Sequence, residues 1–196
     1  MTPKIPTALW RPAIGLSLFA LLGTGLAYAV LATGIAGTLF PAQADGSLVR
    51  DADGRVRGSL LLAQPFAGDG YFQARPSASG YDPMAAAGSN LARGNPQLAQ
   101  RVADATAAVA ARERVAPAQV PADLVTASAS GLDPELSPAA ARLQVARVAR
   151  ARGWPQQRVQ ALLERHVQAP GWGVLGQPRV NVIALNLALD ATAHAR

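Results

Sequence analysis

The longest apolar stretch of the chain lies near its N-terminus, where no charged residue occurs between Pro12 and Ala44. Its core, residues 13–40, reads AIGLSLFALLGTGLAYAVLATGIAGTLF. About 20 apolar residues cross a bilayer as a helix, and this core at 1.5 Å per residue would form a helix about 42 Å long. The pattern predicts one membrane helix over residues 12–40, which tilts or projects beyond the hydrocarbon.

The flank before this helix, residues 1–11, carries Lys4 and Arg11 and no acid. The positive-inside rule therefore predicts a cytoplasmic N-terminus and one periplasmic soluble domain, residues 41–196. The alternative is a cleaved signal peptide, because Ala42-Gln43-Ala44 has the A-x-A form of a cleavage site. The apolar part of a signal peptide is usually about 7 to 15 residues long, so the length of this one favours an uncleaved anchor.

Small residues recur four positions apart within the predicted membrane helix. Such spacing lets a second helix approach closely, although a helix merely rich in Gly and Ala would also contain it. The predicted packing positions are Gly23 with Ala27, Gly25 with Ala29, and Gly37 with Thr33 before it.

Three segments further along the chain have the signature of amphipathic helices. Asn95-Pro96 and Ser137-Pro138 each place a capping side chain before a proline at the first helical position. The first helix is predicted to end near Arg114 and the second before Gly153, and a third begins at Pro155. The residues predicted to face inward are Leu98, Val102, Ala105 and Val109; Ala141, Val145 and Val148; and Val159, Leu162, Leu163 and Val167.

Shorter apolar runs predict strands. Ser59 to Gln64 and Tyr71 to Gln73 are short candidates, and Val180 to Leu189 is apolar enough for a buried strand, although its Ala and Leu also suit a helix. Turn dipeptides within residues 41–58 favour a hairpin. Two segments rich in Pro and Gly are expected to be loops, residues 75–95 and 117–134. We expect an α+β fold with about three helices on one face of a small sheet.

Composition narrows the function. The 196 residues are 50% hydrophobic and 15% charged, with 18 basic and 12 acidic residues and a net charge of +6. The basic residues are scattered among the acids and accompany no aromatic motif, which argues against nucleic-acid binding. The chain has no cysteine, so disulfides, thiolate catalysis and cysteine-ligated metals are excluded.

Candidate catalytic and metal-binding residues are few. Ser128 and Ser130 precede Gly131 without the G-x-S-x-G pattern of a nucleophile elbow, and we interpret them as loop hydroxyls that satisfy backbone groups. His166 lies at the edge of an apolar helix face and is interpreted as structural. Asp133 and Glu135 lie two apart and suit an exposed acidic turn better than a weak cation site.

No phosphate-binding or dinucleotide-binding glycine motif is present, and no cluster has metal-ligand spacing. Arg75 and Arg179 each lie beside a proline, where they suit the surface or a bidentate contact with a carboxylate. The residues alone therefore predict an anchored domain without a catalytic, cofactor or metal site.

Several longer strings carry a resemblance. DLVTASASGLDP spans residues 123–134, and LGQPRVNVIALNLAL spans residues 175–189. With YFQARPSA, GSNLARGNP and QVARVARARG in this order behind one membrane helix, the whole chain resembles the C subunit of the Kdp potassium-transporting P-type ATPase, the KdpC family. The family pattern usually differs at four positions, which are Asp82, Ala87, Ala129 and Glu135.

The resemblance implies a non-catalytic accessory subunit of a high-affinity potassium importer in the inner membrane. Its partners would be a channel-like potassium-binding subunit, a P-type ATPase subunit and a small single-helix subunit, which handle potassium, ATP and Mg. The resemblance also implies a catalytic-chaperone role that raises ATP affinity. A periplasmic domain cannot touch cytoplasmic ATP, so such an effect would be indirect.

Two other functional classes stay open at this point. One is an anchored periplasmic serine hydrolase, and the other is an exported binding protein released after Ala44. Under the accessory-subunit hypothesis, the positions expected to be interface or fold-critical are Arg75, Asn90, Asp133, Arg179 and Asn181.

Overall fold

A computed structural model describes residues 9–50 and 53–194 of the chain. The chain separates into two compact units, Met1–Ser47 and Leu48–Arg196. The first contains helix α1, Trp10–Leu39, whose mean hydropathy reaches 2.0. Its length and composition suffice to cross a membrane, so the predicted N-terminal apolar helix is confirmed. Lys4, part of the predicted cytoplasmic flank, lies outside the described residues.

The middle of α1, Leu21–Ala27, is π-helical, a rare wide turn with i to i+5 hydrogen bonds. Within it the Thr24 hydroxyl donates to the Ala20 carbonyl at 2.6 Å, which gives this polar group a partner inside the helix. α1 ends at Leu39 because Pro41 disfavours helical backbone at the residue before it. A short helix α2, Pro41–Ala44, follows.

In the second unit, the three predicted amphipathic helices are confirmed as α3, Pro96–Glu113, α4, Pro138–Arg152, and α5, Gln156–His166. The Asn95 side chain accepts the Gln97 N–H at 2.9 Å, so this residue caps α3 as expected. The α4 cap is Ser137, whose Oγ accepts the Ala140 N–H at 3.1 Å.

Two small antiparallel sheets accompany the helices. Strands β1, Leu48–Arg50, and β2, Val56–Ser59, form the predicted hairpin. The second sheet has the strand order β3-β5-β4. Its strands are β3, Glu135–Leu136; β4, Val167–Gln168; and β5, Arg179–Asn181. The α+β class is therefore confirmed.

The prediction of a buried strand from Val180 to Leu189 is wrong beyond Asn181, where the chain enters helix α6, Val182–His194. Nearly every position of this run is apolar, so no period distinguishes a strand from a helix in the sequence. The fully buried side chains are spaced as on one helical face: Val182, Leu185, Asn186 and Leu189. The structure does not describe the side chain of His194, the last residue of α6.

Two other strand predictions are also wrong. The run Ser59 to Gln64 leaves the sheet after Ser59 and turns, with Leu60 to Leu62 exposed. Tyr71 to Gln73 belongs to neither sheet because side chains of α4 and α6 take up its backbone hydrogen bonds. Among the described residues, the two predicted loop segments are irregular except for short 3₁₀ turns at Pro83–Ala85, Pro117–Gln119 and Ala122–Leu124.

The core of the second unit lies where α4, α5 and α6 meet the central strand β5. On α4, the small buried residues Ala140 and Ala141 let α5 approach closely. Full burial of one Val or Leu contributes about 1.5–3 kcal/mol. The largest fully buried apolar side chains are Phe72, Val145, Val148, Val159, Leu163, Val180, Val182, Leu185 and Leu189.

Candidate interaction surface

Phe72 and Gln73 lie outside both sheets and are held between α4 and α6 by side chains. Gln144 accepts the Gln73 N–H at 2.8 Å and donates to the Gln73 carbonyl at 3.1 Å. Asn186 makes the same pair of bonds with Phe72, both at 2.9 Å. Each carboxamide therefore replaces the backbone of a missing strand, which satisfies buried peptide groups and fixes the chain leading to Arg75.

A buried ion pair also holds this segment and Gln144 in place. The side chains of Arg147 on α4 and Glu113 at the end of α3 are 4% and 0% exposed, with Arg147 Nε 2.9 Å from Glu113 Oε1. The Arg147 guanidinium also donates to Gln144 Oε1 at 2.7 Å and to the Tyr71 carbonyl at 2.9 Å. A buried charge is tolerated when it is paired and hydrogen-bonded, so this cluster is structural.

Arg75 follows the held segment and reaches across to the next loop. Its Nη1 donates to Asp133 Oδ2 at 3.1 Å, and the two side chains are 26% and 31% exposed. Asp133 Oδ1 accepts the Glu135 N–H at 3.0 Å. The Arg75 carbonyl accepts the Tyr81 hydroxyl at 2.9 Å, and burial raises the pKa of this phenol while Arg112 lowers it to a smaller extent.

A second ion pair lies beside the first. Arg179 Nε is 2.8 Å from Glu135 Oε1, and both side chains are 40% exposed. The Nε–H is not directed along this contact, so the pair is ionic rather than hydrogen-bonded. The second pair and Arg75 of the first line a groove of about 390 Å³. The groove is lined by Arg75, Asp123, Glu135, Leu136, Ser137, Gly176, Gln177, Pro178 and Arg179.

Gly131 sets the distance between the two loops that supply Arg75 and Asp133. Its φ is +73°, and a Cβ there would lie 2.6 Å from Ser79 Oγ and 2.7 Å from the Ala87 carbonyl oxygen. Only glycine fits this close approach at this backbone conformation, so the pair Arg75–Asp133 depends on it.

The five positions predicted to be interface or fold-critical separate into two groups. Arg75, Asp133 and Arg179 come together around the groove. The Asn181 side chain instead accepts the Ala184 N–H at 3.0 Å, which caps α6, and donates to the Leu60 carbonyl at 2.7 Å. Asn90 is exposed in the loop before α3 with a left-handed φ of 50°, a conformation that Asn tolerates.

The groove is bordered on one side by an apolar loop, residues 169–178. Trp172, Val174 and Leu175 in it are 93%, 80% and 57% exposed. Three large apolar residues within a Gly/Pro-rich turn were the signal for it, since turns are usually polar. Exposed apolar residues are typical of interaction surfaces when they form a contiguous patch.

Comparison with known proteins identifies the family of the chain. The sequence model of the family described as "KdpC: K+-transporting ATPase, c chain" matches residues 10–191. The chain belongs to the KdpC family. Similar proteins named "Potassium-transporting ATPase KdpC subunit" occur in Xanthomonas campestris, with 61% identity over 92% of this chain and 86% of the relative. Others are from Variovorax paradoxus, with 56% identity over 95% and 97%, and Caulobacter vibrioides, with 54% over 92% of each.

In this KdpC-family chain, the two candidate hydrolase serines lie in places typical of serines with a structural role. Ser128 is 2% exposed, and Ser130 Oγ accepts the Leu132 N–H at 3.1 Å. His166 Nδ1 lies 2.9 Å from the Leu162 carbonyl of its own helix. Asp133 pairs with an arginine and so does Glu135, and no group of three metal-ligating side chains occurs among the described residues.

The predicted packing residues of the membrane helix lie in both of its parts. Gly23, Gly25 and Ala27 are in the π-helical section, whereas Ala29 and Gly37 are in the α-helical part. A Cβ at Gly23 or Gly37 would meet no atom within 4 Å. Packing of a neighbouring helix at these positions stays a prediction.

Proposed function

We propose that the chain is a non-catalytic accessory subunit of a high-affinity, ATP-driven potassium importer, which assists the assembly or stability of its complex. The observation that carries the proposal is the KdpC family match, because residues 10–191 include both the apolar helix and most of the second unit. Relatives named as this subunit cover nearly the whole chain at 54% to 61% identity.

The proposed location is the inner membrane, with a cytoplasmic N-terminus, one crossing by α1, and residues 41–196 in the periplasm. The uncharged stretch after Arg11 and the basic flank before it support this orientation. In the membrane, α1 would pack through its small residues against the channel-like potassium-binding subunit. The periplasmic domain would cap the ion entrance of that subunit.

Potassium, ATP and Mg would be handled by partner subunits, among them a P-type ATPase subunit and a small single-helix subunit. Any effect of this chain on ATP affinity would be indirect, because binding that favours one conformation of the pump changes its affinity for a second ligand. The isolated chain in detergent is therefore expected not to bind ATP. Saturable binding at micromolar ATP in a calorimetric titration would contradict this.

The test of the assembly proposal is purification of the tagged full-length chain from native membranes of potassium-starved cells in mild detergent, with the retained proteins identified by mass spectrometry. Recovery of the channel-like and ATPase subunits is expected. An unrelated single-pass protein with the same tag is the control. Recovery of the chain alone in several detergents would contradict the proposal and favour the hydrolase or the exported binding protein.

A further inference from the structure

The loop of residues 169–178 is a rigid feature despite its exposure. Gly171 and Leu175 exchange two backbone hydrogen bonds, both of 2.8 Å, across an isolated antiparallel bridge. Gly173 N–H donates to the Pro170 carbonyl at 3.0 Å, and Val174 N–H to the Gly171 carbonyl at 3.1 Å. The tip is therefore preformed, and preformed contacts lose less conformational entropy on binding.

Trp172 at the tip has a strained backbone. Its φ is 49°, a left-handed conformation that is unfavourable for a residue with a Cβ and natural for glycine. Its side chain is 93% exposed, so contacts within the chain do not compensate for the strain. A bulky aromatic residue that is both strained and exposed points to a role in binding.

The groove beside the loop carries both signs of charge. Arg75 pairs with Asp133 and Arg179 with Glu135, and all four side chains are between 26% and 40% exposed. An anionic lipid surface attracts a cluster of basic residues, whereas alternating charges of both signs suit a protein surface with its own paired charges. The flank of the apolar tip is therefore complementary to a protein rather than to a membrane.

We propose that residues 169–178 form the anchor by which this chain docks onto a protein subunit of its complex, with Trp172 and Val174 inserted into an apolar pocket. That pocket would be bordered by charged groups of both signs that face the two ion pairs of the groove. The inference rests on the proposed function, since it requires that the chain assembles with partner subunits. Tryptophan and arginine are the residues most often dominant in protein interfaces.

Two substitutions test the anchor in the full complex. Trp172→Gly removes the side chain and relieves the left-handed strain, so the thermal unfolding midpoint stays the same or rises, while the ratio of partner subunits to tagged chain falls at least about tenfold. Val174→Ser, at an 80% exposed position, should act in the same direction. Met84→Ala is the matched control, because Met84 is also 93% exposed and lies in another loop; it should leave the ratio unchanged.

A cross-linking measurement identifies what covers the tip. Trp172→p-benzoylphenylalanine is introduced into the full chain and irradiated in native membranes, with the same photo-reactive residue at Met84 as the control. A cross-link from position 172 to another subunit supports the anchor. A cross-link to lipid alone overturns it and assigns the tip to the membrane.

The outcomes of these experiments distinguish failure of the anchor from failure of the proposed function. If Trp172→Gly and Val174→Ser retain the wild-type ratio, the anchor is overturned while the accessory-subunit function stands. If the unmodified chain retains no partner subunits, the proposed function fails first and the anchor with it. A lower unfolding midpoint together with a lower ratio for both variants would assign the loop to stability and overturn the anchor.

Discussion

Arg142 and Arg147 lie on the same helix, and each pairs with a glutamate, yet their surroundings differ. Arg142 and its partner Glu164 are 47% and 41% exposed, whereas Arg147 and Glu113 are almost fully buried. Arg147→Met should therefore cost about 3 kcal/mol of unfolding free energy, the low end of the range for a broken buried pair. It leaves the buried Glu113 carboxylate with Arg112 alone, 2.9 Å away and 35% exposed, and removes the bonds of Arg147 to Gln144 and the Tyr71 carbonyl. Urea unfolding of the detergent-solubilised chain, followed by circular dichroism, measures this loss.

Arg142→Ala is the matched control for that experiment. Solvent screens an exposed pair, so such a pair contributes little to stability, and this variant should unfold close to the wild-type urea concentration. Equal losses in the two variants would contradict the assignment of Arg147 and Glu113 as a buried structural pair.

The raised pKa of Tyr81 predicts that the free energy of unfolding falls at high pH. Burial raises its pKa in the folded chain, whereas the unfolded phenol has a pKa of about 10. The unfolded chain therefore loses this proton first, so stability is full below about pH 10 and declines as the pH rises from there through the folded pKa. Tyr81→Phe should weaken this decline, as measured by urea unfolding between neutral pH and pH 11. An identical decline in both proteins would show that other groups cause it.

At the scale of elements, Asn181 joins strand β5 to helix α6 and to the turn that follows strand β2. Asn181→Ala removes the cap at Ala184 and the bond to Leu60, and loss of a cap costs about 0.5–2 kcal/mol. Asn181→Asp keeps an acceptor for the cap and loses only the donor to Leu60, so its loss should be smaller. A reversed order of the two variants in thermal unfolding would contradict the capping role.

Elements whose signals are local could be predicted from the sequence. Asn95, Ser137 and Gly153 set helix ends through contacts within a few residues, and these boundaries are confirmed. Helix α6 was only the alternative to a strand in the sequence, because nearly every position from Val180 to Leu189 is apolar, which removes the period. The strand prediction for Tyr71 to Gln73 was wrong because the partners of this backbone are side chains about 70 or more positions away.

The candidate surface was only partly predictable for the same reason. Arg75 and Asp133 were singled out separately, but their contact spans 58 positions and depends on how two loops pack at Gly131. The loop at Trp172 carried one local signal, its large apolar residues, but the glycines and prolines around them indicate only a turn. How far each side chain is exposed depends on the folded chain, so it could not be predicted from the loop alone.

At the scale of the whole molecule, the absence of cysteine permits a clean test of orientation. Met84→Cys should react with a membrane-impermeant maleimide in intact spheroplasts, because the residue is 93% exposed in a domain proposed to be periplasmic. Thr2→Cys should react only after the membrane is permeabilised. Mass spectrometry of the chain measures both, and labelling in the opposite pattern would contradict the proposed topology.

The hydrogen bonds that hold Phe72 have a consequence for how the protein folds during its synthesis. Phe72 and Asn186 are 114 positions apart. During N-to-C synthesis, Phe72 therefore lacks this hydrogen-bond partner until almost the whole domain has been made. Contacts of such long sequence separation form slowly. A nascent chain that stops before α6 leaves the Phe72 peptide groups unpaired and its ring uncovered. Incomplete copies are therefore exposed to proteases, and only a finished chain presents a folded surface to other subunits.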